Sequence, residues 1–84
     1  MQQSKLTVKV KEDIEQGVYA NAISVHINPN ECILDFAYQL PNTKDPVLKL
    51  VSRVNMNHKT MEQFIQIATN ALLDWKNKQK NSNN

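Results

Sequence analysis

Five positions and one basic cluster in this chain are of types that can do chemistry. Cys32 is a possible nucleophile, and His26 and His58 are possible bases or ligands. Asp35 and Arg53 are two charges set inside apolar stretches. Cys32 alternates with Leu34 and Phe36, which puts all three on one face of a strand, so the thiol reads as an inert buried group. His26 falls in the apolar run before it and His58 near a helix start, and no Ser/Cys–His–Asp arrangement is legible. Asp35 and Arg53 read as a cross-strand ion pair on a mixed face. The sharper alternative is a ligand-binding pair, but no other acid, base or nucleophile is assembled beside them. Trp75 with Lys76, Lys78 and Lys80 combines a stacking surface with cations, as a nucleic-acid contact requires. The plainer reading is a tryptophan closing a core stripe and lysines matched to a helix dipole.

Other chemistries fall away on composition. A single glycine, Gly17, excludes phosphate-cradling loops, which need several. One cysteine and two scattered histidines are too few for a structural zinc site, so neither metal nor cofactor is expected and the chain reads as non-enzymatic. No apolar run approaches the ~20 residues of a membrane helix. The opening Met1-Gln2-Gln3-Ser4-Lys5 lacks the apolar block of a signal peptide, so the expected compartment is the cytoplasm. Net charge is +2 but unevenly placed, with −2 in residues 1–42 and +4 in residues 43–84.

The elements that must position these residues follow from periodicity. Residues 5–11 alternate strictly, with Leu6, Val8 and Val10 against four polar side chains, three of them lysine, and predict a half-buried strand. Residues 12–17 are an acidic connector. Residues 19–28 and 31–40 predict a hairpin around Asn28-Pro29-Asn30-Glu31, with Pro29 at the second position of a type I turn. Centring that turn on Pro29-Asn30 pairs residues whose numbers sum to 59, from Ile27 with Cys32 out to Tyr19 with Leu40. Residues 41–46 form a polar loop. Residues 47–56 predict a further strand with Leu48, Leu50, Val54 and Met56 on one face. Val51 makes it apolar on both sides, so a central position is expected.

The period then changes to 3.6. Met61, Phe64, Ile65, Ala68, Ala71, Leu72 and Trp75 share one stripe of a helix expected over residues 58–78, with Asn57 as N-cap. The single domain spans residues 1–80, and residues 81–84 are expected to be a disordered tail. The fold class is therefore α+β: an antiparallel sheet of about four strands with one C-terminal amphipathic helix. One helix covers only part of such a sheet. A chain of 84 residues buries only roughly 60% of its unfolded surface, so a homodimer or higher homo-oligomer is expected. The helix stripe is the candidate interface.

Three stretches in order carry a family resemblance. Val18-Tyr19-Ala20-Asn21-Ala22, then Cys32-Ile33-Leu34-Asp35-Phe36, then Val51-Ser52-Arg53-Val54-Asn55-Met56 resemble the DUF3467 family of small bacterial and archaeal proteins. The family pattern runs Tyr-Ala/Ser-Asn, Glu-Phe-hydrophobic-Leu-Asp-Phe, Ala/Ser-Arg-Val-hydrophobic-Met, then a C-terminal helix. This chain departs from it at Glu31-Cys32 and at Asn57-His58. The resemblance implies a binding or assembly module and supplies no reaction. The strand–helix order is also similar in outline to SecB-like chaperones.

The expected function is a homodimeric protein-interaction module that engages itself and, through a remaining face, another protein. The alternatives are a weak, sequence-nonspecific nucleic-acid binder and a chaperone-like holdase.

Overall fold

The computed structural model describes residues 6–41, 44 and 47–82. Its centre is a hairpin of β1 (Ala22–Ile27) and β2 (Cys32–Gln39). The turn is built by Asn28. Its Oδ1 accepts from the backbone N–H groups of Asn30 and Glu31, both at 2.9 Å, and its own N–H donates to the Glu31 carbonyl at 3.0 Å. This Asx turn and the fixed φ of Pro29 set the register. Ile27 lies opposite Cys32, Val25 opposite Leu34 and Ile23 opposite Phe36, as the sum of 59 requires.

β3 (Leu48–Met56) pairs antiparallel with the other side of β2. The sheet has three strands in the order β1-β2-β3. Three expectations are corrected here. First, residues 6–11 form no strand; they pair with nothing, and Leu6 and Val8 are 97% and 81% exposed. Their alternation fits a strand, but they join neither of the sheet's two edges, at β1 or at β3. (Lys5 lies outside the described residues.) Second, β2 is central and β3 is an edge strand. Third, the faces of β3 do not alternate throughout. Val54 opposes Leu34, whereas Leu50 opposes Ala37, and the register shifts between Phe36 and Ala37. Val51 is the extra residue of a β-bulge, which turns Leu48 and Leu50 to the face opposite Val54 and Met56. Val51 looked two-faced because the bulge frees it from the ladder.

β1 also starts later than expected, at Ala22, so Tyr19 and Leu40 are not ladder partners. Before it, residues 12–15 form one helical turn, α1 (Glu12–Glu15), where a connector was expected. Gly17 closes that turn at φ +74°, a conformation that costs other residues about 1–2 kcal/mol.

The final element, α2 (His58–Ser82), starts where its cap dictates. Asn57 Oδ1 accepts from the Thr60 N–H at 2.7 Å, and the Asn57 carbonyl accepts from the Met61 N–H at 3.1 Å. The helix runs past residue 78 and includes Asn81 and Ser82, two residues of the expected disordered tail. The other two, Asn83 and Asn84, lie outside the described residues, as do Asn42, Thr43, Asp45 and Pro46 of the expected polar loop.

The core is small. Cys32, Leu34 and Met61 are buried, and Phe36 and Met56 pack against them. Met61 is therefore the hook by which α2 holds the sheet. From Glu62 to Asn81 every residue of α2 is exposed. A 25-residue helix is about 37 Å long, so most of it projects beyond the sheet. The radius of gyration is 17.4 Å, against about 12 Å for a compact chain of this length.

Candidate functional site

The two faces of the sheet differ in chemistry. On the outer face, Asp35 and Arg53 are directly opposed on β2 and β3. Arg53 donates Nε to Asp35 Oδ1 at 2.7 Å and Nη2 to Asp35 Oδ2 at 2.9 Å, a bidentate fork. That hydrogen bond and the guanidinium charge hold the Asp35 carboxyl below its ordinary range, while the same hydrogen bond and the carboxylate charge raise the Arg53 pKa. Ser24 stands opposite Asp35 on the β1 side. Both carboxylate oxygens are engaged by Arg53, and no His or Cys is opposed to either residue, so the pair pins the β2–β3 register and assembles no reactive group.

The remaining sequence candidates are dispersed. His26 lies on the outer face of β1, opposite Ile33. His58 is at the start of α2, with Nε2 2.8 Å from the Asn28 carbonyl. A carbonyl only accepts, so Nε2 carries the proton and the ring ties α2 to the hairpin turn. Cys32 is 1% exposed within the core. No group of three or more His, Cys, Asp or Glu able to hold a metal ion occurs among the described residues. Lys76, Lys78 and Lys80 lie exposed towards the far end of α2 with Trp75, which is 57% exposed and closes no core within the chain.

The inner face carries the unusual feature. Ile23, Val25 and Ile27 of β1 share a face with Leu34 and the core, yet all three are exposed. The helix stripe divides in the same way. Met61 is buried, whereas Phe64, Ile65, Ala68, Leu72 and Trp75 are exposed. Ile67 and Leu73, outside the stripe, are exposed as well. The accessible surface is 8159 Å², against about 5,100 Å² for a compact chain of this mass.

At the end of the sheet away from the hairpin turn, Val18, Tyr19, Tyr38, Lys49 and Val51 line an open cleft of about 430 Å³. The rings of Tyr19 and Tyr38 meet edge to face at 5.9 Å. Beside them sits a residue whose structural role the spacing did not reveal. The Asn21 side chain bonds both ways with the backbone of Gln39: its Oδ1 accepts from the N–H at 2.7 Å and its Nδ2 donates to the carbonyl at 3.2 Å. One amide side chain thus imitates a strand residue and extends the ladder past Ala22. In the sequence it is marked by a strand-flanking Asn with no turn after it and by its place in the Tyr19-Ala20-Asn21 stretch of the family pattern.

A three-stranded antiparallel sheet with a capped, projecting C-terminal helix defines a small α+β fold. No helix among the described residues is long and apolar enough to cross a membrane. Residues 1–80 match the family described as protein of unknown function, DUF3467, and the chain belongs to that family. No curated protein and no solved structure matches it.

Proposed function

We propose that the chain is a non-enzymatic assembly module that works in the cytoplasm as a homodimer and presents its remaining faces to another protein. One observation carries this reading: the apolar β1 face and the α2 stripe are both exposed in the single chain, around a buried core of three residues. Contiguous apolar surface of this kind marks an interaction site. The excess surface over a compact chain is about 3,000 Å², more than the ~800 Å² per partner that a standard interface buries.

The test is the mass on a sizing column with light scattering, at micromolar concentration, for the natural chain and for Leu72→Glu. Leu72 is 52% exposed, so its replacement leaves the single chain's core intact. The natural chain is expected at twice 9.7 kDa and the variant at 9.7 kDa with a lower melting temperature. An unchanged mass and melting curve in the variant would falsify the reading.

A second reading has one observation behind it. Trp75 is exposed beside Lys76, Lys78 and Lys80, a combination suited to nonspecific nucleic-acid binding. It requires binding that weakens steeply with salt and disappears when the three lysines become glutamate.

A further inference from the structure

We infer that the dimer is an exchange in which α2 of each copy lies across the bare β1 face of the other. This rests on the homodimer proposed above and names its geometry. Each chain carries two uncovered apolar surfaces of different shape. One is the row Ile23, Val25 and Ile27; the other is the α2 stripe beyond Met61. They cannot cover each other within one chain, because α2 touches the inner face at Met61 and then runs beyond the sheet. Pairing helix with helix leaves the β1 rows bare, and stacking sheet on sheet leaves the helices bare. A two-fold exchange covers both surfaces with one self-complementary contact.

Charge points to the same occupant. Glu12, Asp13 and Glu15 of α1 and Lys76, Lys78 and Lys80 of α2 stand at opposite ends of the chain's charge asymmetry. Among the described residues the only ion pair is Asp35–Arg53, so neither cluster is paired with another described residue. Asp13, Ile14 and Gly17 border a cleft with Val51 and Ser52 of β3, which places α1 on the β3 side of the inner face, level with Phe36 and across β2 from Ile23. α2 begins at the other end, next to Met56 and the hairpin turn. A partner helix crossing the β1 face from the turn end brings its lysines towards these carboxylates. The 18 residues from Met61 to Lys78 span about 26 Å, and the six residues of β1 about 20 Å.

The natural chain supplies the test. Equal amounts of isotopically light and heavy protein are mixed, allowed to exchange and treated with a carbodiimide that joins amines to carboxylates in contact. Mixed light–heavy peptides joining Lys76, Lys78 or Lys80 to Glu12, Asp13 or Glu15 are expected. Links between copies confined to α2 with α2, or none joining α2 to α1, overturn the exchange. A parallel measurement uses Val25→Asp. Exchange predicts at least a tenfold weaker dimer, with the far-ultraviolet spectrum kept; a dimer of undiminished affinity overturns it. If the sizing column instead returns a monomer for the natural chain, the homodimer itself has failed and the exchange with it. A dimer without α2–α1 links removes the exchange alone.

Discussion

Arg53 holds Asp35 through both carboxylate oxygens from the directly opposed position on the neighbouring strand, at 2.7 and 2.9 Å. The carboxyl is thereby held below its ordinary value of 3.8. A depressed folded-state pKa contributes stability above the unfolded value, and that contribution is lost as the pH falls through the folded one. Arg53→Gln is therefore expected to lower stability slightly at neutral pH and to leave less to lose below pH 3.8. Urea midpoints for the two chains should converge as the pH falls below that value. Parallel curves down to the most acid point would show that the pair contributes nothing. Because the pair is solvent-accessible, the effect is small and shrinks with salt.

Asn21 makes its two bonds to Gln39 at the mouth of the hairpin. Asn21→Ala removes both, and about 1 kcal/mol of stability is expected to go with them. Asn21→Asp keeps an acceptor for the Gln39 N–H but loses the donor, and should fall between. Amide exchange at Gln39 is the direct measurement; unaltered protection in the alanine variant would show that the clamp is incidental.

Met61 is the one helix residue buried with Cys32 and Leu34. Met61→Ala is expected to cost about 2–3 kcal/mol, a large share of what a domain this small has. The predicted signature is separation of α2 from the sheet. The His58–Asn28 contact should loosen together with the core, visible as a shift of the His58 ring resonances. A variant with a full-strength core and an unmoved His58 would mean that α2 is held elsewhere.

The parts of this fold legible in the sequence are those fixed by short-range chemistry. The β1–β2 register follows from Asn28-Pro29, since an Asx turn admits only one centring. The start of α2 follows from Asn57, whose cap is a local hydrogen bond. The opposition of Asp35 and Arg53 depended on β3, and there the pattern was less informative. A bulge at Val51 leaves no mark in a hydrophobic run, so simple alternation puts Leu48 and Leu50 on the face opposite the one they occupy. The alternation of residues 6–11 is a valid strand signal without a neighbouring strand, and periodicity does not say whether a neighbour exists. α1 escaped notice because four residues carry no period, although Gly17 marked where it had to end. The exposure of the α2 stripe was equally hidden, because amphipathicity shows that a face needs cover without naming what covers it.

The burial of Cys32 gives the molecule its own clock. It is the chain's only cysteine, 1% exposed, and sealed by the helix residue that anchors α2. A thiol reagent can reach it only when α2 lifts from the sheet or the hairpin opens. The rate of labelling under native conditions therefore counts those openings. In the proposed dimer, its dependence on protein concentration would separate openings that need the two copies to part from those that occur within one copy. A single sulfur atom thus reports how long the module stays closed, with no added probe.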